Sequence, residues 1–318
     1  MRQQGAFGNL RIDDQRLMRL VLLTFVLTII VGISFGGYYY WDRYIHLGDK
    51  SPTVLAVEHL QQQVRDNPQD PDLRVALASL YLKDSMPKQA IDQAGQVLGQ
   101  APDHQEALLI LGLSYTRLGE AQSAVGYLEK FSGLRRNSPM ADTDPVLEAA
   151  LYYLGQNYLM IEQPAKAENV LFEALGIERT DADAMYLLGQ AYAQQNKPQL
   201  AIEQYLNAVR FVPDFSEAYR AMAESYSLME KYDHVNYALG AEALSLGEYA
   251  KAHEYLLASV EALPDFAPAY LALGLTYEQI GDLEMARESL ARSLELNPDS
   301  YMAEHALGRI KAVLETGR

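Results

Sequence analysis

Apolar residues between 71 and 300 recur at helical spacing, and that spacing is nested in a longer period of 34 residues. Leu188, Gly189, Tyr192 and Ala201 are followed by Tyr205, Ala208 and Pro213. One period earlier stand Leu154, Gly155, Tyr158, Ala167, Leu171 and Ala174, and near the C-terminus Leu273, Gly274, Tyr277, Ala286, Leu290 and Pro298. Such a period predicts stacked helical hairpins. Six units align: 71–104, 105–138, 148–181, 182–215, 233–266 and 267–300.

Each signature position has a physical role. A small residue at Ala78, Gly112, Gly155, Gly189, Gly240 and Gly274 lets the second helix of its hairpin pack close, and Ala90, Ala124, Ala167, Ala201, Ala252 and Ala286 are expected to face it. Tyr81, Tyr115, Tyr158, Tyr192 and Tyr277 fill the space between hairpins, with Ala243 in their place in the fifth unit. Pro102, Pro213, Pro264 and Pro298 end second helices, because proline lacks the N–H and clashes with the preceding turn. Pro87, Pro164 and Pro198 open second helices, where a missing N–H costs nothing.

The period is interrupted. Pro139 to Leu147 is a nine-residue insertion, and 216–232 is half a repeat with Tyr219, Met222, Ala223 and Tyr226. The second helix of that half-repeat coincides with the first helix of the next unit, which should change the local curvature. Residues 54–67 and 301–315 read as lone helices covering the two ends of the stack.

Ahead of the repeats, Leu20 to Trp41 holds 22 residues without a charge. As a helix they span ~33 Å, against a hydrocarbon core of ~30 Å. This predicts a transmembrane helix over 20–41, between an N-terminal tail (1–19) and a short linker (42–53). Arg2, Arg11, Arg16 and Arg19 precede it, whereas Arg43 and Lys50 alone follow within twenty residues. That bias favours a single-pass cell-membrane protein with a cytoplasmic N-terminus and extracytoplasmic repeats. The reverse topology stays open, as does a cleaved signal peptide ending near Ser34-Phe35-Gly36. Thr28, Gly32 and Gly36 form a small-residue face on which two such helices can form a homodimer.

Charge and chemistry narrow the function. Residues 1–50 carry six Lys/Arg and four Asp/Glu, leaving 20 and 38 for the rest. Such a surface repels phosphate backbones, so no nucleic-acid partner is expected; solubility or a preference for basic partners explains it instead. With no cysteine, disulfides, thiolate metal sites and cysteine nucleophiles are excluded. His46, His59, His104, His234, His253 and His305 are scattered, with His253 expected at the surface of a second helix. No catalytic residues, metal site or cofactor are expected. Asp70-Pro71-Asp72 and Asp181-Ala182-Asp183 fall in inter-repeat turns, where Asp caps helices.

The repeat resembles the tetratricopeptide repeat (TPR) family over about 250 residues, from near Val54 onward. The resemblance implies an all-α, right-handed superhelical TPR solenoid over 54–318, behind the transmembrane helix. It also implies that first helices line a concave face that takes extended peptides or partner helices. Carried onto this chain, the partner-binding groove comprises Tyr152, Gln156, Met160, Tyr186, Gln190, Gln194, Arg220, Glu224 and Tyr237. The Tyr152/Gln156 and Tyr186/Gln190 pairs combine rigid rings with amides that bond a peptide backbone, unless the rings merely pack on neighbouring helices. The Lys/Asn/Arg clamp with which some members hold a C-terminal carboxylate is missing: Val75, Ser79, Leu109 and Leu113 stand there, which suggests a neutral or apolar ligand segment. The expected function is a membrane-anchored interaction scaffold in envelope or membrane-complex assembly. A permanent structural subunit of a large membrane complex is the alternative.

Overall fold

The computed structural model describes residues 14–41 and 51–316. It divides into two units, Met1–Pro68 and Gln69–Arg318. Every regular element among the described residues is helical.

The first unit contains α1 (Asp14–Tyr40) and α2 (Pro52–Asp66). The membrane-spanning helix expected over 20–41 is not supported as such: among the described residues no helix is long and apolar enough to cross a membrane. Among the described side chains of α1, Thr24, Thr28, Gly32, Ser34, Gly36 and Gly37 are the small and hydroxyl-bearing positions, and three tyrosines follow them. The remaining side chains of the expected span, and the linker over 42–50, lie outside the described residues. On the small-residue face, the Thr28 hydroxyl donates to the Thr24 carbonyl of its own helix at 2.8 Å. Cβ positions built at Gly32 and Gly36 meet nothing within 4 Å. The stretch expected to be helical over 54–67 lies in α2, opened by the Ser51 cap and Pro52.

The second unit holds the repeats. Its helices are α3 (Pro71–Lys83), α4 (Pro87–Gln100), α5 (Gln105–Leu118), α6 (Ala121–Arg135), α7 (Pro145–Met160), α8 (Pro164–Ile177), α9 (Ala182–Gln194) and α10 (Pro198–Phe211). They continue as α11 (Ser216–Leu228), α12 (Tyr232–Ser245), α13 (Tyr249–Ala262), α14 (Ala267–Ile280), α15 (Leu283–Leu296) and α16 (Tyr301–Thr316). Asp70, Asp144 and Asp181 cap first helices with side-chain oxygens, while Pro87, Pro164 and Pro198 occupy the first turn of second helices. Short turns make successive helices antiparallel.

The close approach inside each hairpin follows one rule that the alanines did not reveal. A Cβ built on Gly112, Gly155, Gly240 or Gly274 would lie 2.5–2.7 Å from Leu128, Leu171, Leu256 or Leu290, sixteen residues on. Gly189 meets Tyr205 in the same way. The first hairpin has Ala78 instead of glycine, and the residue sixteen further is Ala94; both are fully buried. The alanines at 90, 124, 167, 201, 252 and 286 are buried too, but the side chain against the small residue comes one turn later.

Every turn from a first to a second helix carries one left-handed residue: Ser85, Gly119, Glu162, Asn196, Glu230, Gly247 and Gly281. Two of these, Glu230 and Gly247, bracket α12. This helix is therefore entered as a second helix and left as a first helix. It packs on α11 and on α13 alike, and reaches α14 as first helices reach one another. The odd helix has a geometric consequence. The first helices α12, α14 and α16 run antiparallel to α3, α5, α7, α9 and α11, so the inner face changes side at this joint.

Three of the nine inserted residues join the following helix. A 3-10 turn at Ala141–Thr143 leads to Asp144, and α7 already begins at Pro145, three residues before the aligned unit. Asp144 is almost fully buried, caps α7 through the Val146 amide at 3.0 Å and accepts from Arg135 Nε on α6. At the C-terminal end, Ala303, Ala306, Leu307 and Ile310 of α16 are buried, in keeping with an end helix.

Candidate partner-binding surfaces

Two concavities flank α11, and each is built from positions that the period sets one turn apart. The smaller, of about 410 Å³, is lined by Tyr186, Gln190, Ala193 and Gln194 of α9, Tyr205 of α10, and Glu217, Arg220, Ala221 and Glu224 of α11. Five expected groove residues thus converge: Tyr186, Gln190, Gln194, Arg220 and Glu224. Tyr152, Gln156 and Met160 sit on α7 and line neither cavity; Met160 is exposed, and Tyr152 stacks edge-on with Tyr153 at 5.2 Å. Tyr237 does not join them: it is buried and lines the other cavity. The cause is the odd helix, which turns the inner face of α12 away from that of α9.

Several groove groups are already engaged. Gln190 Nε2 donates to the Tyr186 hydroxyl at 2.8 Å, so the pair one turn apart forms an internal bond. The Tyr186 ring packs on Phe215 and Tyr205 at centroid distances of 5.0 and 5.8 Å. Arg220 Nε donates to Glu242 of α12 at 2.7 Å, tying the half-repeat across the joint. Burial, above all, holds the Tyr186 hydroxyl above its ordinary pKa, and the charges of Glu217 and Glu224 add to that.

Acidic groups stand near the groove that sequence led one to expect as neutral. Glu148 of α7 is pushed up to about 7 by burial, a hydrogen bond to Asp181 and the charges of Asp181 and Glu178. Asp183 is raised by burial and by the charges of Asp181 and Glu217. Tyr152 is pushed up to about 12 by burial, then by Asp183 and Asp181. An acidic edge therefore runs along the first turns of α7, α9 and α11. Asp181 does cap α9, as its turn position implied, whereas Asp183 and Glu217, one period apart, cap neither helix. Their common register was the signal that sequence inspection passed over.

The larger cavity, of about 920 Å³, opens on the opposite side of α11. Leu206, Val209 and Arg210 of α10 face Tyr237 and Leu244 of α12 and Leu271 and Leu275 of α14 across it, with Tyr219 projecting from α11. Its walls are mainly apolar. The Tyr219 hydroxyl donates to the Pro213 carbonyl at 3.2 Å. At the far rim, Arg309 of α16 forms a two-pronged pair with Glu278 of α14, both contacts at 2.7 Å. None of the α10 residues was singled out in sequence, because second helices normally face outward.

Among the described residues no group of three or more His, Cys, Asp or Glu is placed to hold a metal ion. His253 is not a free surface group: its Nε2 lies 3.1 Å from the Tyr277 hydroxyl on the next hairpin.

Known proteins share this repeat. Models described as tetratricopeptide repeat match residues 75–139, 147–214 and 267–300, together more than half of the chain. The matched residues leave out the joint at α11–α13. Cellulose synthase operon protein C of Escherichia coli K12 is 28% identical over 149 residues, 45% of this chain, and its O157:H7 counterpart matches equally. The match spans 13% of the length of those proteins. A crystal structure of MamA protein is 25% identical with a TM-score of 0.50, covering 57% of this chain and 94% of that one. The MamA RS-1 ArsTM double mutant, 22% identical with a TM-score of 0.50, covers 56% of this chain and 95% of its own, and shows the fold alone.

Proposed function

Because this chain belongs to the tetratricopeptide repeat family, we propose that it is a protein-interaction scaffold holding a partner segment, extended or helical, on the concave surfaces beside α11. One observation carries the proposal. Tyr186, Gln190 and Gln194 of α9 and Arg220 and Glu224 of α11 line one groove of about 410 Å³, with the Gln194 amide exposed in it. Replacing Gln190 and Gln194 by alanine should lose partner capture while helical content and melting stay unchanged. Capture at the wild-type level by this variant would remove the groove from the function.

The anchored form of this function rests on sequence. The uncharged stretch from Leu20 to Trp41 and the basic residues before it support a single-pass membrane protein with the repeats outside the cytoplasm, acting in envelope or membrane-complex assembly. Protease added to intact spheroplasts should then cut the repeats before permeabilisation. Protection until permeabilisation would reverse the topology. Cellulose synthase operon protein C shares repeats over a small part of its length, so its role lends no particular partner to this chain.

A further inference from the structure

We propose that the larger cavity, between α10, α12 and α14, takes an amphipathic helix of a partner protein. Its apolar face is broken by one hydrogen-bonding side chain, and it carries an acid toward one end and a base toward the other. The proposal rests on the scaffold function above and adds the chemistry of what is held.

Three observations select this occupant. First, the walls of this cavity of about 920 Å³ are aliphatic, with Leu206 and Val209 facing Leu244, Leu271 and Leu275. The helix backbones behind them are already bonded, so an extended segment would bury its own N–H and C=O groups unpaired. A helix satisfies those groups internally and offers side chains alone. Second, Tyr237 lines the cavity at 5% exposure, and its hydroxyl has no hydrogen-bond partner among the described residues. Its ring stands edge-on to Phe266 at 5.0 Å, so the partner for the hydroxyl must come from the occupant. A lipid acyl chain would leave it unpaired. Third, the free charges of the lining differ from end to end. Glu278 and Arg309 pair with each other. Arg210, where α10 leads into α11, and Asp299, before α16, form no ion pair among the described residues. Because α16 runs antiparallel to α11, these two charges lie toward opposite ends of the cavity. Asp214, the remaining charge of the lining, lies on the Arg210 side without pairing with it. An acid on the helix therefore meets Arg210, and a base meets Asp299.

The test selects a displayed library of random peptides, each of about 15 residues, on the full chain and discards those that still bind Leu206→Glu. Leu206, Arg210 and Asp299 are exposed, so melting curves of their variants should match the wild type. Retained peptides should be helix-forming, with apolar residues at i, i+3 or i+4 and i+7 around one polar position. Tyr237→Phe, which keeps the ring, should weaken the best of them about fivefold. Arg210→Glu should replace the selected acid by Lys or Arg, and Asp299→Lys should replace the selected base by Asp or Glu. Retained sequences that are proline-rich or strand-like, or whose end charges ignore both reversals, would overturn the proposal. So would an empty selection, and binding of fluorescent dodecanoate in that case would assign the cavity to an acyl chain. A crosslinker at Gln190 that captures nothing would count against the scaffold, and none of the cavity results depends on that groove.

Discussion

Gly189 on α9 lies so close to Tyr205 on α10 that a Cβ there would stand 2.4 Å from the ring carbon Cε1. Tyr205 is almost fully buried and also supports Tyr186, so this contact ties hairpin packing to the groove. Gly189→Ala should cost about 1–3 kcal/mol through overpacking. With Tyr205→Ala the same change should cost less, because Ala78 and Ala94 show that the repeat accepts an alanine pair. Urea unfolding of the two single variants and the double variant checks this. A fully additive cycle would mean that the two side chains do not meet.

Left-handed turns offer a gain. Glu162 and Glu230 have φ of 56° and 57°, where a non-glycine residue is strained. Glu162→Gly and Glu230→Gly should each stabilise the repeats by about 0.5–1 kcal/mol, the relief exceeding the entropy cost of glycine. Gly119→Ala, at φ 74°, should destabilise instead. Thermal melts of the three variants decide it.

The Glu148–Asp181 carboxyl pair predicts a pH dependence. The folded-state pKa of Glu148 is about 7, raised from an ordinary 4.5, so the folded chain holds this proton more tightly than the unfolded one. Its contribution should weaken stability as pH rises from 4.5 to 7 and stay unfavourable above. Glu148→Gln should raise the melting temperature at pH 8 and change it little at pH 5.

Asp144 behaves in the opposite sense. The hydrogen bond from Arg135, above all, holds its carboxyl below the usual carboxylate value despite burial. The stability it supplies is complete above that ordinary value and is lost as pH falls through the lowered one. Asp144→Asn should cost about 1–3 kcal/mol at neutral pH, since it removes a charged partner from Arg135. Denaturant titrations at pH 7 and at successively lower pH should find the cost shrinking as the carboxyl is protonated.

Much of this architecture was legible because packing leaves regular marks. Glycine, tyrosine and proline at a period of 34 located all six hairpins, and the overlap at Tyr232–Ser245 already implied one helix with two roles. What remained hidden depends on side chains meeting in space. Nothing in sequence distinguishes Leu128 or Tyr205 as the residue against the glycine from other apolar positions on the same helix. Ser85, Glu162, Asn196 and Glu230 adopt left-handed turns that glycine would have announced. The apolar cavity needed α10 and α12 to face each other, which follows only once the odd helix reverses the inner face. For the groove, five of nine residues expected together line one cavity, and Tyr237 lines the other.

The central claim is that the surface beside α11 holds a partner protein, and site-specific photo-crosslinking in cells tests it most directly. A crosslinker at Gln190 should capture one discrete partner in good yield, whereas one at Arg287, on the outer helix α15, should capture none. Capture from Arg287 but not from Gln190 would contradict the claim.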